Sequence, residues 1–167
     1  MAKKKISGVR LTDRIIPIHY KIHLTPDLDE FIFEGKEEIT LEIKKSTNKI
    51  TLHSAEIAIL DCELIHGKKS LLPKISFSEK DETATFIFPS QLEPGRYNLK
   101  LEFTGILNDK MRGFYRSRYE LNGKSYHMGV TQFESTDARR AFPSFDEPSK
   151  KATFGFQKII LCEIPPG

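Results

Sequence analysis

Acids, arginines, aromatics and prolines crowd into residues 131–148, and neither a helical nor a strand period runs through the whole stretch. Near its start, Gln132 and Glu134 are two positions apart. On an extended strand such residues share one face, roughly 6.6 Å apart. A carboxylate and an amide placed in this way supply charge and acceptor oxygens for a small cationic group, such as the ammonium at a peptide's N-terminus. A strand end with ordinary surface polar residues is the alternative that this pair leaves open.

The rest of the stretch has the composition of a loop that ion pairs hold in shape. Guanidinium groups bind carboxylates in a bidentate geometry, so the charged residues are expected to fix the backbone. For the two arginines, direct contact with a substrate is the other role left open. Two prolines restrict φ further, and a pre-shaped loop loses less entropy on binding. The residues predicted to support the loop are Asp137, Arg139, Arg140, Asp146 and Glu147.

Most of the remaining sequence alternates between apolar and polar residues, which is typical of strands with one buried face. The first such segment predicts a strand in which these residues share the buried face: Ile16, Ile18, Tyr20, Ile22 and Leu24. Further strands are predicted at 39–43, 50–53, 56–60, 63–66 and 97–103.

Turn residues join several of these segments. The polar run 78–82 separates two alternating segments and predicts a hairpin, and Pro94-Gly95 predicts a turn. Asn122-Gly123 is the strongest signal, because both residues tolerate the positive φ of a type I′ turn, and it joins 113–121 to 125–134. Many short strands and turns predict an all-β fold, an antiparallel β-sandwich or similarly layered sheet.

Size and composition limit the possible functions. A chain of 167 residues with 38% hydrophobic and 29% charged residues is expected to form one domain over 11–167, after a flexible basic tail at 1–10. No apolar run approaches the ~20 residues of a membrane span. The net charge of +3 is small, so no nucleic-acid partner is expected. Cys62 and Cys162 match no metal or redox spacing, which favours reduced thiols in the cytoplasm.

Several motifs in combination resemble the N-terminal domain of M1-family zinc aminopeptidases, particularly the puromycin-sensitive and tricorn-associated members. The similar region extends from about Leu11 to Phe154. Its motifs are Gln-Phe-Glu at 132–134, Asp-Ala-Arg-Arg-Ala-Phe-Pro at 137–143, Phe-Asp-Glu-Pro at 145–148, Lys-Ala-Thr-Phe at 151–154, Pro-Ile-His-Tyr at 17–20, Leu-Thr-Pro at 24–26 and Gly-Phe-Tyr-Arg-Ser at 113–117.

The resemblance implies a β-sheet domain that packs against a catalytic domain. It implies that Glu134 helps to bind the free α-amine of a peptide and that Gln132 lines the first specificity pocket. The zinc of the complete family enzyme is bound in the following domain by His-Glu-x-x-His and a downstream glutamate.

That zinc-binding motif is absent from the 167 residues. The one similar spacing is His19 and His23, but on a strand these lie roughly 13 Å apart, whereas Zn–N bonds are about 2.0–2.1 Å. His53, His66 and His127 are isolated in sequence and are expected to be structural. The sequence therefore predicts no catalytic residue, no metal site and no cofactor in this chain, which is expected to be inactive alone.

Two readings of the function follow. The first is the non-catalytic, substrate-recognising N-terminal domain of an aminopeptidase, cut short before its last strands, although residues 156–164 can still form one strand. The second is a stand-alone peptide- or protein-binding module derived from that family. The expected partners are peptide N-termini, a catalytic-domain chain, or a second copy of this chain that pairs along an exposed strand edge.

Overall fold

The computed structural model describes residues 9–156. In this part of the chain it contains eleven strands and one short 3-10 helix. The strands are Ile15–Asp27 (β1), Ile32–Ile43 (β2), Thr47–His53 (β3), Ile57–His66 (β4), Lys69–Leu71 (β5), Lys74–Ser78 (β6), Thr83–Leu92 (β7), Gly95–Ile106 (β8), Gly113–Leu121 (β9), Lys124–Gln132 (β10) and Thr153–Phe156 (β11). The 3-10 helix, Ala138–Arg140, lies in the long connection between β10 and β11.

These strands form three sheets. The largest has six strands in the order β11-β1-β2-β8-β4-β5, the second has the order β3-β7-β6, and β9 pairs with β10 alone. All neighbouring strands are antiparallel except β1 and β11, which are parallel. The all-β, largely antiparallel fold that the sequence predicts is confirmed.

One hydrophobic core joins the sheets. Ile39, Leu41 and Ile43 of β2 are buried, as their alternation predicts, and Ile50 and Phe86 bring the three-stranded sheet into the same cluster. The β9–β10 sheet and the connection after β10 also contribute to this core. Phe114 comes from β9, and the connection contributes Ala141, Phe142 and Phe145. This connection is therefore packed into the core at several points.

The prediction of which residues of β1 are buried is wrong for the first half of the strand. Ile15 and Pro17 are buried there, while Ile16 is exposed and Ile18 is half-buried. The register between β1 and β2 shifts between Pro17 and His19. Such a bulge inserts one residue and reverses the alternation, so that only Tyr20 and the residues after it follow the predicted pattern.

A second bulge changes the prediction for β4. The sequence predicts two strands, at 56–60 and 63–66, but the structure has one strand, Ile57–His66. Its pairing with β8 shifts between Ile59 and Asp61. An extra residue at a bulge interrupts the apolar alternation without ending the strand.

The predicted hairpins at 78–82 and at Asn122-Gly123 are present. Asn122 and Gly123 have φ of 52° and 74°, as a type I′ turn requires. β10 ends at Gln132 rather than at Glu134, so Glu134 lies just beyond the strand. Residues 1–8 of the predicted tail, the predicted strand after Phe156, and Cys162 lie outside the described residues. Within 9–156, no helix has the length and apolar character needed to cross a bilayer.

Candidate functional site

Gln132 is the last residue of β10 and Glu134 follows two positions later. Both residues are exposed. The backbone N–H of Glu134 donates a hydrogen bond to Oε1 of Gln132 at 3.2 Å. The opposite face of β10 is the one that packs inward, because a Cβ on Gly129 would lie 2.9 Å from the Phe114 ring. The Gln132 side chain is therefore joined to the Glu134 backbone on a surface that remains open.

Glu134 lies in a tight turn. The backbone N–H of Asp137 donates to the carbonyl of Phe133 at 3.0 Å, which closes the turn around Glu134. The Phe133 ring packs edge-on against Phe142, with 5.7 Å between ring centroids. The turn that contains Glu134 is therefore anchored to the core through the Phe133 ring.

Arg139 is buried, with 6% of its surface exposed, and it is bound to carboxylates on two sides. Its Nε donates to Asp146 at 2.9 Å and its Nη1 to Glu82 at 3.2 Å. Asp146 comes from the end of the same loop, whereas Glu82 comes from the turn between β6 and β7. A buried charge is tolerated only when it is paired in this way, so Arg139 fixes the loop against the three-stranded sheet.

Arg140 makes three ion pairs. Its guanidinium contacts Glu82 at 2.6 Å, Glu56 at 2.8 Å and Asp137 at 3.1 Å. Burial alone would lower the pKa of Arg140, but Glu56, Glu82 and Asp137 raise it above its ordinary value. The side chain is therefore a permanent cation that links the start of the loop to residues far away in sequence.

Glu147 does not pair with either arginine, although its nearness in sequence predicts that it is one of their partners. Its Oε1 instead accepts a hydrogen bond from the backbone N–H of Leu11 at 2.6 Å. Three residues later, the Lys150 ammonium donates to the Thr12 carbonyl and to Asp13, each at 2.9 Å. Both contacts connect the end of the loop to the segment before β1. The Glu147 carboxylate thus binds a backbone N–H and not a guanidinium group.

The loop backbone is also joined directly to the three-stranded sheet. His53 and Ser144 exchange two backbone hydrogen bonds, of 2.8 and 2.9 Å, and the N–H of Ala55 donates to the Arg139 carbonyl at 2.9 Å. His53 is buried, and burial together with Arg139 lowers its pKa. Its Nε2 lies 3.1 Å from the carbonyl of Val9.

The described residues do not fit a zinc ion. No group of three histidine, cysteine or carboxylate side chains in residues 9–156 is placed to hold a metal. His19 and His23 have other neighbours: Nδ1 of His19 lies 2.6 Å from the Thr153 hydroxyl, and Nε2 of His23 lies 3.2 Å from the Thr25 hydroxyl. No catalytic step through a metal can therefore be assigned to this part of the chain.

Three residues of this site have no recognisable signal in the sequence: Glu82, Glu56 and Lys150. Glu82 is separated from Arg140 by 58 positions, and it looks like an ordinary polar residue of a hairpin turn. Its backbone φ of +51° is the one unusual property, and a sequence does not reveal it. The positions of Glu82, Glu56 and Lys150 relative to the loop depend on how the strands pack together. A local sequence pattern does not determine this packing.

Comparison with known proteins gives a consistent result. The sequence profile of the peptidase M1 N-terminal domain matches residues 16–160. The chain is 44% identical over 155 residues to "Aminopeptidase 2" of Candida albicans, which covers 92% of this chain and 16% of that protein. It is 44% identical over 161 residues to "Aminopeptidase M1" of Arabidopsis thaliana, covering 93% of this chain and 18% of the relative.

"Puromycin-sensitive aminopeptidase" of Caenorhabditis elegans is 43% identical over 141 residues, covering 83% of this chain and 15% of that protein. The chain thus spans less than a fifth of the length of the relatives that it matches. A profile match over most of the chain, together with a nearly all-β fold, shows the family. The chain belongs to the peptidase M1 N-terminal domain family.

Proposed function

We propose that this chain is the amine-recognising part of an M1 zinc aminopeptidase. Glu134 binds the α-ammonium of a peptide substrate, and Gln132 lines the pocket for its first side chain. The observation that carries the proposal is the exposed pair at the end of β10, joined by the hydrogen bond from Glu134 N–H to Gln132 Oε1.

The charge distribution supports this role for Glu134. Asp137, Asp146 and Glu147 are all engaged in bonds that shape the loop. Among the contacts within residues 9–156, by contrast, the Glu134 carboxylate has no hydrogen-bond or ion-pair partner. An exposed carboxylate on a rigid support is suited to bind an ammonium, because little ordering entropy is lost on binding.

Gln132 keeps the capacity to contact a ligand although its oxygen is already used once. An amide oxygen has two lone pairs, and the amide NH2 supplies two donors. The bond to Glu134 N–H takes one lone pair and holds the amide in place. The remaining groups can then contact a substrate backbone or side chain.

Hydrolysis itself is proposed to rest on residues outside the described part of this chain, where the family's zinc is bound. The described residues supply binding groups, so the chain alone is proposed to be non-catalytic. A cytoplasmic, reducing environment fits Cys62, which has no disulfide partner within residues 9–156 and is a buried thiol whose pKa burial raises to about 12.

A chimera tests this function. The chain replaces the matched segment of the Arabidopsis relative, and turnover of an aminoacyl-anilide is measured. In the chimera, Glu134→Gln is expected to raise KM roughly 10- to 100-fold, because a hydrogen bond to a charged group is lost. The ammonium keeps its charge during hydrolysis, so KM is expected to change more than kcat.

Glu120→Gln is the matched control. Glu120 is an exposed glutamate on the same hairpin, paired with Arg118. Its replacement is expected to leave KM unchanged. Equal KM values for the parent chimera and Glu134→Gln would remove Glu134 from the proposed role.

A second candidate function is a stand-alone binding module. β11 is an edge strand that pairs only with β1 among the described residues, and Phe154 and Phe156 on it expose 49% and 52% of their surfaces. An unpaired edge is a template for another strand. We propose a second copy of the chain as its occupant, and light scattering that gives a monomeric mass at all concentrations would contradict this.

A further inference from the structure

Glu82 bridges the two arginines of the loop. One carboxylate oxygen lies 2.6 Å from Nη2 of Arg140, and the other lies 3.2 Å from Nη1 of Arg139. Both guanidinium groups are largely buried, with 7% and 15% of their side-chain surfaces exposed. Glu82 itself exposes 36% of its side chain, so solvent screens these pairs less than fully exposed pairs but more than fully buried ones.

The backbone of Glu82 is in a conformation that glutamate rarely adopts. Its φ is +51°, in the left-handed region where glycine or asparagine is favoured. The Glu82 carbonyl accepts a hydrogen bond from Ser54 N–H at 2.8 Å, which fixes this part of the turn. Four other non-glycine residues in residues 9–156 share a positive φ, so the role of Glu82 is inferred from its two ion pairs and not from its backbone.

Contacts connect Glu82 to Glu134 step by step. The Arg140 guanidinium, held by Glu82, donates through Nε to Asp137 at 3.1 Å. The N–H of Asp137 donates to the Phe133 carbonyl at 3.0 Å, which closes the turn that contains Glu134. The Glu82 carboxylate is therefore connected to this turn through the Arg140 guanidinium and then through Asp137.

Glu82 also fixes the other end of the loop. Arg139, its second partner, donates through Nε to Asp146 at 2.9 Å. Asp137 and Asp146 are nine positions apart and mark the two ends of the segment that surrounds the 3-10 helix. One carboxylate from the three-stranded sheet thus clamps both ends of this segment.

We propose that Glu82 is a positioning residue for amine recognition: by bridging Arg139 and Arg140 it sets the place of Glu134 without contacting the substrate. The proposal rests on the proposed function of Glu134. Its structural part, that Glu82 controls the conformation at 133–135, can be measured independently of any substrate.

The first measurement is the 1H–15N spectrum of the chain. Glu82→Gln keeps the size of the side chain and removes its charge, and it is expected to shift the amide signals of Phe133, Glu134 and Ser135. Glu120→Gln is the matched control, since Glu120 is an exposed glutamate whose partner is Arg118 near the tip of the β9–β10 hairpin. It is expected to leave those three signals in place. Unchanged signals in Glu82→Gln would overturn the inference even if Glu134 binds the amine.

The second measurement is KM in the chimera. Glu82→Gly relieves the left-handed backbone and removes the carboxylate, and a coupling of this kind is expected to raise KM roughly 3- to 30-fold. The value of kcat is expected to stay near that of the parent. Asn122→Gly also replaces an exposed residue at positive φ, of 52°, at the tip of the hairpin, and it is expected to leave both constants unchanged.

The outcomes separate the two proposals. A higher KM for both Glu82→Gly and Glu134→Gln supports the inference. A higher KM for Glu134→Gln alone overturns the inference and leaves the proposed function standing. An unchanged KM in Glu134→Gln would contradict amine binding by Glu134. It would also contradict the role of Glu82 in amine recognition, whatever the spectrum shows.

Discussion

Gly113 and Arg140 lie so close together that Gly113 has no room for a side chain. A Cβ built on Gly113 would lie 2.5 Å from Cβ of Arg140 and 3.1 Å from the Asp137 carbonyl oxygen. Gly113 opens β9 and is the register partner of Gln132. The hairpin that carries Gln132 and the loop that carries the arginines are thus packed against each other at this glycine.

Gly113→Ala is expected to destabilise the chain by about 2–4 kcal/mol, because it combines a clash with the strain of a non-glycine residue at φ of +67°. Urea unfolding measures this loss. Gly123→Ala is the control: its φ is +74°, but nothing lies within 4 Å of the added Cβ. It should lose only about 1 kcal/mol, the conformational part. Equal losses for the two variants would contradict the close contact.

Arg139→Lys is expected to lower the free energy of unfolding by about 2–3 kcal/mol. A lysine ammonium cannot reproduce the forked geometry that reaches Asp146 and Glu82 together, and carboxylates are left partly buried without their partner. Arg118→Lys on the exposed pair with Glu120 should change stability by less than about 0.5 kcal/mol. A similar effect of both substitutions in thermal or urea unfolding would argue against a clamping role for Arg139.

Glu37 is a carboxyl group in the core, and it makes the stability of the fold dependent on pH. Neither oxygen has a hydrogen-bond partner within the described part of the chain, and burial raises the pKa of Glu37 well above its usual value. A raised pKa means that the folded state holds the proton more tightly than the unfolded state. The contribution of Glu37 to stability is therefore greatest below the unfolded pKa of about 4.3 and declines as pH rises toward the folded pKa.

Glu37→Leu is expected to increase stability by about 2 kcal/mol or more at pH 7, where the unfolded chain gains from ionising Glu37. Urea unfolding from pH 4 to pH 8 should show this gain growing with pH. The neighbouring groups Tyr20 and Cys62 have raised pKa values and stay protonated over this range, so they do not obscure the effect. A gain that does not depend on pH would show that packing, rather than ionisation, is responsible.

Local patterns predicted the elements whose signals are complete within a few residues. The Asn122-Gly123 turn and the buried face of Ile39, Leu41 and Ile43 are of this kind. Ile16 and Ile18 could not be placed, because a bulge shifts the alternation and leaves no sequence mark. For Glu147, nearness in sequence to the arginines was misleading, since the backbone of Leu11 occupies its carboxylate.

The candidate site shows the same division. The pairs of Arg139 with Asp146 and of Arg140 with Asp137 join residues that are near each other in sequence, and the composition of the loop indicated them. Glu56 and Glu82 come from turns of other elements and reach the loop only because the sheets pack together. A site built from distant segments is therefore recognised in part from its sequence and completed by its fold.

Binding of a peptide's free amine by Glu134 is tested most directly by titrating the chain with a short peptide and with its N-acetylated form. Amide signals around Gln132 and Glu134 in 1H–15N spectra report the contact, even when binding is weak. If Glu134 binds the amine, the free peptide causes concentration-dependent shifts and the acetylated peptide causes much smaller ones. This difference is expected to be lost in Glu134→Gln. Equal shifts with both peptides in the unmodified chain would contradict amine binding by Glu134.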